Sequence, residues 1–190
     1  RSAPAKYAEQ WDNPGLNIGD PDADINKILV ALDATENVID EAIAKGADMI
    51  ITHHPLLFHA VKKINYNMPG GRKIMKLIKN NINHFAAHTN LDAAKGGTND
   101  RLADIIGLKD TSVLSEGQFD EIGIGRVGII DGDTTMGMLA VKIKEGLGLD
   151  AVRVTGNLSR KVKKVALCTG AGAEFIDDAV KAKCDVYITS

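Results

Sequence analysis

The sequence is poor in cysteine and in long apolar runs, and each shortage excludes a class of protein. Two cysteines, Cys168 and Cys184, form no disulfide framework and no sulfur-rich zinc site, so we expect both to be buried structural thiols. No apolar run approaches the roughly 20 residues that cross a bilayer, which predicts a chain without a membrane span. Neither end resembles a targeting segment, and the cytoplasm is the expected location.

An excess of charge of one sign is also missing. Lysine and arginine number 23, aspartate and glutamate number 25, and the net charge is -2. Such a surface offers no broad basic field to nucleic-acid phosphates or to an anionic membrane, so we predict neither partner. The 190 residues, 44% of them apolar, suffice for one domain or two small lobes with a sizeable core. Small-molecule ligands and protein partners remain as function classes.

Apolar β-branched runs alternate with helical stretches along the chain, which is typical of parallel βαβ units. The clearest unit has a strand at 28–32, a helix over 36–45 between Thr35 as N-cap and Gly46 as C-cap, and a strand at 48–52. Further predicted elements are a helix from about 72 to 80, a strand at 83–88, a helix at 99–106 closed by Gly107, a glycine-rich strand within 121–131 that another backbone approaches closely, a helix at 134–147 and a short strand at 151–155. The pattern predicts an α/β fold with a mostly parallel sheet.

Residues 164–190 align with residues 27–53 without a gap. Identical residues in this alignment are Lys27/Lys164, Ala34/Ala171, Ile39/Ile176, Asp40/Asp177, Ala42/Ala179, Asp48/Asp185, Ile51/Ile188 and Thr52/Thr189. Either two βαβ units converge on a similar pattern, or the chain repeats one supersecondary unit. The second explanation predicts two related lobes, 1–110 and 111–190.

Adjacent histidines, His53 and His54, follow the predicted strand at 48–52. The carboxyl ends of parallel strands are where ligands and catalytic groups collect. Neighbouring residues of a regular strand point to opposite faces, so both imidazoles can bind one metal only where the chain turns, as Pro55 favours. Alternatively they bind two ions about 3.5 to 4 Å apart, as in binuclear hydrolases. Ordinary polar residues at a strand end are the structural alternative.

A second strand end, at 83–88, opens into His88 and Asp92. A carboxylate beside imidazoles suits Zn, Mn, Fe or Mg, and the convergence of two strand ends favours a metal site. His88 is a candidate proton shuttle or a group that orients a ligand, and both roles stay open. Asp33 is either a hydrogen-bond acceptor behind the metal ligands or a solvent-facing residue at the start of a helix.

The other candidate binding residues give weaker signals. We predict that His59 and His84 are not ligands, because neither has a carboxylate or a second histidine at a helpful spacing. Residues 96–100 most simply supply a turn and the start of a helix. The small-residue turn at 169–173 is a weak candidate for anion binding, since it lacks the third glycine of a dinucleotide fingerprint and the lysine of a P-loop.

Five segments carry a family resemblance: WDNPGL at 11–16, LDAT at 32–35, IITHHPL at 50–56, AAHTNLD at 86–92 and GGTND at 96–100. Their order and approximate spacing resemble those of the Nif-three-like family, whose members are often labelled type 2 GTP cyclohydrolase I or its homologues. The resemblance covers essentially the whole chain and leaves no room for an inserted domain between residues 128 and 152.

The resemblance implies a Nif-three-like fold, in which two βαβ-containing lobes share a mostly parallel or mixed sheet core, and a toroidal homohexamer. It also implies two divalent metals in each subunit, and His53, His54 and Asp92 match family positions that bind them. The family completes its site with a histidine and a glutamate beyond the strand matched at 186–189. We therefore expect a chain truncated in its first helix and at its C-terminal end, with an incomplete metal site.

The expected function is that of a divalent-metal-dependent hydrolase, in which metal-activated water acts on a nucleotide-like or cyclic small molecule. GTP as that substrate comes from the family label alone. Two alternatives stay open. One is a metal-stabilised hexameric ring that acts as a binding or regulatory scaffold, and the other is a phosphoesterase with a two-metal site.

Overall fold

The computed structural model describes residues 2–190, which form two compact units: Pro4–Leu91 is the first, and Asp92–Ser190 together with residues 2–3 is the second. Sheet and helices of the first unit are, in chain order, β1 (Gly15–Ile18), β2 (Ile28–Ala31), α1 (Glu36–Lys45), β3 (Met49–Thr52), α2 (Pro69–Lys79), β4 (Asn83–Ala86) and the start of α3 (Thr89–Ala93), preceded by a 3-10 turn at Ala5–Tyr7. The strand order is β1-β4-β3-β2, with β2, β3 and β4 parallel and β1 antiparallel to β4. The carboxyl ends of three parallel strands therefore meet at one edge of the sheet.

Helix α1 follows directly from its local sequence. The Thr35 hydroxyl accepts a hydrogen bond from the backbone N–H of Val38, and Gly46 ends the helix in the left-handed region with φ of 61°. Ile39 and Ala42 on the inner face are fully buried. Both predicted caps are confirmed, because each satisfies backbone groups that the helix leaves without partners.

One apolar cluster holds the first unit together. Helices α1 and α2 pack their buried faces with residues of the sheet, and the cluster comprises Ile18, Ile39, Ala42, Ala47, Ile50, Ile74, Leu77 and Ile82. Its role is to fix β3 beside β4, whose registers pair Met49 with Asn83 and Thr52 with Ala86.

The second unit contains another four-stranded sheet. Its elements are α4 (Thr98–Ile106), β5 (Lys109–Glu116), β6 (Gly123–Ile129), α5 (Met136–Leu147), β7 (Lys164–Leu167), a 3-10 turn at Ala173–Phe175, α6 (Ile176–Lys181) and β8 (Val186–Ile188), preceded by the end of α3. The strand order is β5-β6-β7-β8, in which only β7 and β8 run parallel among the residues described. The predicted α/β class with mixed sheets is confirmed, in the form of two separate sheets.

Helix α4 belongs to the core of the second unit. Ala103 and Ile106 pack in one cluster with Leu139 and Ile143 of α5. The boundary between the two compact units therefore lies between residues 91 and 92, ahead of α4. The lobes predicted at 1–110 and 111–190 would place the boundary inside β5.

Strand β6 is crowded by neighbouring backbone, as its glycines predict. A Cβ atom on Gly123 would lie 2.2 Å from the carbonyl oxygen of Ser115, and one on Gly125 would lie 2.7 Å from that of Leu167. Both distances are too short for a side chain, so glycine is required where the neighbouring strands β5 and β7 approach β6.

The two units repeat specific hydrogen bonds as well as a βαβ pattern. The Lys27 ammonium donates to the carbonyl of Lys45 at 2.8 Å, and the Lys164 ammonium donates to that of Ala182 at 2.7 Å. In the alignment without a gap, Lys27 corresponds to Lys164 and Lys45 corresponds to Ala182. Two βαβ units that merely share a pattern of apolar residues would not need a lysine that bonds the equivalent carbonyl in each. The hydrogen bonds therefore favour a repeated supersecondary unit.

Several elements differ from the sequence predictions. The segment 151–155 is not a strand, because it pairs with no neighbour among the described residues. Strands β1 and β5 were not predicted, since β1 is short and the exposed first half of β5 lacks apolar alternation. Within residues 2–190 the structure has no helix of the length and apolar character that a bilayer crossing requires.

Candidate metal centre

Two neighbouring strand ends supply three histidines. His53 and His54 follow β3, and His88 follows β4 by two residues. The two strands are parallel and in register, with Thr52 opposite Ala86, so the segments that leave them start side by side. Backbone pairing continues past the strands, since Ala87 N–H donates to the carbonyl of Thr52 and His54 N–H to that of Leu32. The sheet thereby delivers all three side chains to one edge.

The three imidazoles converge. One ligand nitrogen from each of His53, His54 and His88 lies within 4.8 Å of the others. The ring centroids of His53 are 5.1 Å from those of both His54 and His88, and those of His54 and His88 are 5.6 Å apart. His54 is exposed, while the other two are partly buried. The chain turns after β3, as Pro55 predicted, and adjacent histidines thus face the same point.

The hydrogen bonds of these histidines fit a metal. Each Nδ1 lies 2.8 Å from an acceptor: the Ala87 carbonyl for His53, Asp33 Oδ1 for His54 and Asp12 Oδ1 for His88. A carbonyl or carboxylate oxygen only accepts, so each neutral ring carries its proton on Nδ1 and its lone pair on Nε2. Metal-binding histidines in proteins are oriented in this way.

Asp33 is the acceptor of His54 rather than a purely solvent-facing residue. Its side chain is half exposed. Thr35, two residues later, caps α1 as described above. Of the two roles left open for Asp33 by the sequence, the geometry selects contact with a candidate ligand.

Asp12 was not found by sequence reasoning. Its side chain has no exposed surface, and it accepts hydrogen bonds from His88 Nδ1 and from both the N–H and the hydroxyl of Thr89. Burial alone would raise the pKa of Asp12, but the bonds from His88, Thr89 and Asn13 outweigh it and lower the pKa. The carboxylate is thus charged beneath His88. Asp12 lies 76 residues from His88, and no spacing rule connects them.

His84 supports the turn from below and is not one of the three converging rings. The Thr52 hydroxyl donates to the His54 carbonyl at 2.7 Å, so it must accept from His84 Nε2 at 2.8 Å. Burial, with a smaller contribution from the charge of Lys73, lowers the pKa of His84 to about 4. His84 Nδ1 has no hydrogen-bond partner in the part of the chain that the structure describes.

Asp92 lies in the second unit, in α3. The Thr98 hydroxyl donates to its carboxylate, and Asn99 Nδ2 donates to its carbonyl at 2.9 Å. Asn99 Oδ1 in turn accepts from the N–H of Thr169 at 2.8 Å, at the end of β7. The GGTND segment therefore positions Asp92, in addition to forming the turn and helix start that the sequence predicted.

The remaining candidates serve the fold. In the turn at 169–173, the backbone of Gly172 is already hydrogen-bonded to other parts of the fold. Its N–H donates to the Thr189 hydroxyl, and its carbonyl accepts from the Tyr187 hydroxyl. Cys168 is buried, and burial raises its pKa to about 11, so its thiol is inert at neutral pH. Cys184 is partly buried with a pKa that burial also raises.

Two exposed aromatic side chains flank His88. The ring centroid of Trp11 lies 6.1 Å from that of His88 and 5.8 Å from that of Phe58. Trp11, the single tryptophan of the sequence, is 59% exposed. An optical probe thus stands beside the histidine cluster.

Comparisons with known proteins agree with this architecture. The family model described as Duf34/NIF3 (NGG1p interacting factor 3) matches residues 1–190. A Clostridium perfringens protein named GTP cyclohydrolase 1 type 2 homolog is 44% identical over 188 residues, which are 98% of this chain and 72% of that protein. A Staphylococcus aureus hypothetical protein has a TM-score of 0.92 at 33% identity, covering 100% of this chain and 75% of its own. A Bacillus cereus protein related to NIF3 has a TM-score of 0.91 at 28% identity, covering 100% and 79%.

Proposed function

Because this chain belongs to the Duf34/NIF3 family, we propose that it is a divalent-metal-dependent hydrolase of a nucleotide-like or cyclic small molecule. The observation that carries the proposal is the convergence of His53, His54 and His88 with every Nδ1 already bonded to an acceptor. The substrate class is suggested by the relative named GTP cyclohydrolase 1 type 2 homolog. GTP itself comes from that name alone.

The side chains present would hold the cation through neutral imidazole nitrogens. Such ligands suit Zn or Fe(II) better than Mg or Ca, which prefer oxygen. A divalent cation bound there supplies Lewis acidity for hydrolysis. The other groups keep the ligands in place: Asp33 and Asp12 hold the rings of His54 and His88, and Thr52 ties down the backbone of His54.

Asp92 as a ligand and a second metal in the subunit belong to the same proposal. The Asp92 carboxylate, which accepts a hydrogen bond from the Thr98 hydroxyl, is the kind of oxygen ligand that divalent cations bind. His88 is proposed as a ligand rather than as a proton shuttle, because its ring lies as close to His53 as that of His54 does and its ligand nitrogen converges with theirs. Homohexameric assembly is proposed from the family resemblance, and the cytoplasmic location stays a prediction of the sequence.

An activity screen of the full-length protein tests the proposal. The protein would be loaded with Zn²⁺, Mn²⁺ or Fe²⁺ and assayed against GTP, cyclic nucleotides and simple phosphoesters. The paired substitution His53→Ala/His54→Ala should abolish turnover, whereas His59→Ala, which alters an exposed histidine six residues from His53, should retain it. Activity that survives the paired substitution would overturn the metal-hydrolase assignment.

The same screen separates the alternative functions. Turnover of phosphoesters without turnover of GTP would identify a phosphoesterase. Absence of turnover on every substrate, combined with dissociation of the assembly when the metal is chelated, would identify a structural metal in a binding scaffold. Light scattering before and after chelation measures the assembly size directly.

A further inference from the structure

Asp12 is a buried charge in a loop ahead of the first sheet. It lies between the 3-10 turn Ala5–Tyr7 and β1, and its side chain has no exposed surface. Charged side chains are rarely buried without a specific partner, because their removal from water is costly. The partners of Asp12 therefore indicate why a carboxylate occupies this position.

Both carboxylate oxygens of Asp12 are used, and for different partners. Oδ1 accepts from His88 Nδ1 at 2.8 Å and from Asn13 N–H at 2.7 Å. Oδ2 accepts from the N–H of Thr89 at 3.1 Å and from the Thr89 hydroxyl. An amide side chain has a single acceptor oxygen and could not satisfy both sets of donors. The position requires a carboxylate rather than any polar group of that shape.

The acceptor of His88 differs from those of the other two histidines. His53 is held by a backbone carbonyl, and His54 by Asp33, whose side chain is half exposed. Asp33 is open to solvent, whereas the Asp12 side chain has no exposed surface. Of these three contacts, the bond between His88 and Asp12 is the only one that combines a full charge with complete burial.

We propose that Asp12 is a positioning residue of the metal centre, which keeps the proton of His88 on Nδ1 and directs the Nε2 lone pair toward His53 and His54. The inference rests on the proposed metal site. The contact with Thr89 uses the other oxygen, so the effect on His88 and the support of the start of α3 are separable. Partners that orient metal-binding histidines typically change metal affinity by about 10- to 100-fold when they are removed.

The substitution Asp12→Asn tests the proposal on the full chain. Either orientation of the new amide places its NH₂ against a backbone N–H, that of Asn13 on the His88 side or that of Thr89 on the other. With the NH₂ on the His88 side, Nδ1 becomes an acceptor and the ring proton moves to Nε2. We expect a larger Nε2–H population of His88, measured by ¹⁵N NMR of the metal-free protein, and Co²⁺ affinity about 10- to 100-fold weaker by visible absorption. An unchanged tautomer with Co²⁺ affinity within about twofold of wild type would overturn the proposal.

Two matched variants control for loss of structure. Thr89→Val removes the hydroxyl bond to Oδ2 and should lower stability while Co²⁺ affinity stays close to wild type. If it weakens Co²⁺ binding as much as Asp12→Asn does, Asp12 acts only through the fold and the proposal fails. Asp33→Asn should weaken Co²⁺ binding less than Asp12→Asn, and a larger loss there would also contradict the proposal.

The tautomer of His88 in the wild-type chain decides the matter even if Asp12→Asn does not fold. We expect Nδ1–H, and Nε2–H would overturn the inference. The same measurement separates the two proposals. A chain that binds no Co²⁺ but shows the Nδ1–H tautomer and its loss in Asp12→Asn would contradict the proposed function, while the contact between Asp12 and His88 would stand.

Discussion

Asp48 and Asp185 occupy equivalent positions 137 residues apart in the sequence and accept equivalent backbone hydrogen bonds. Asp48 Oδ2 accepts from the N–H groups of Asn26 and Lys27, and Asp185 Oδ2 accepts from those of Lys163 and Lys164. Each carboxylate thus ties the start of one parallel strand to the start of the next. The same solution in both units explains why aspartate is kept among the few identities of the alignment.

Loss of either carboxylate should therefore destabilise its unit by a similar amount. Backbone hydrogen bonds lower the pKa of both carboxyl groups. The largest contribution comes from the N–H of Lys27 for Asp48 and from that of Lys164 for Asp185. We predict comparable falls in Tm for Asp48→Ala and Asp185→Ala by calorimetry. Asp24→Ala, at an exposed aspartate of the first unit, should leave Tm nearly unchanged. A fall confined to one of the two variants would argue against equivalent roles.

His84 should make stability depend on pH. Its pKa of about 4 in the folded state lies below the ordinary 6.5, so the unfolded chain binds the proton first as pH falls. The contribution is complete above pH 6.5 and is lost progressively as pH falls toward 4. The full shift corresponds to about 3 kcal/mol in the free energy of unfolding.

Urea unfolding with a chelator present measures this effect. The variant His84→Gln keeps an N–H donor for Thr52 but does not titrate, so its stability should fall less between pH 6.5 and 4 than that of wild type. The difference between the two proteins removes the contributions of the other histidines. Parallel pH profiles would show that His84 is not held neutral by burial.

We expect replacement of Arg126 to cause the largest loss of stability of any single substitution in the second unit. The Arg126 side chain is 4% exposed, and its guanidinium pairs with Asp100 and donates to the carbonyls of Gly123, Gly125 and Ala94. Arg126→Met removes the charged partner of Asp100 and the side-chain donor of these carbonyls, and should cost about 3 to 5 kcal/mol. Chemical denaturation checks the value, and Arg153→Met, at an exposed arginine, should stay within about 0.5 kcal/mol of wild type. Equal effects would contradict the role given to Arg126.

The cysteines should react slowly with thiol reagents. With its pKa raised to about 11, Cys168 has about 100-fold less thiolate at pH 8 than an ordinary thiol. In Cys184→Ser, labelling of Cys168 should be slow in the native protein and fast in denaturant. In Cys168→Ser, the partly buried Cys184 should react sooner. Rapid native labelling of Cys168 would contradict its inert, structural role.

The sequence predicted most of the features that depend on neighbouring residues and on the topology of parallel sheets. Helix α1 and its caps, the glycine-crowded β6 and the emergence of His53, His54 and His88 at neighbouring strand ends all follow from periodicity, capping and the topology of parallel sheets. The strand expected at 151–155 fails, because a run of that length forms a strand only where a neighbour pairs with it.

The orienting groups were harder to predict. Asp12 reaches His88 across 76 residues through tertiary structure, and its sequence neighbourhood reads as an ordinary turn. The WDNPG segment contributed to the family resemblance, but nothing in its spacing assigns the aspartate to a histidine. Thr98 and Asn99 likewise appear as a helix start until the fold places them against Asp92.

The central claim is that His53, His54 and His88 hold a divalent cation, and Co²⁺ titration followed by Trp11 fluorescence tests it most directly. Trp11 is the single tryptophan, and its ring centroid lies 6.1 Å from that of His88, so Co²⁺ bound there should quench its emission. We predict saturable quenching in wild type and in His59→Ala, and none at the same concentrations when all three histidines are replaced by alanine. Unchanged saturable quenching in that triple variant would contradict the account.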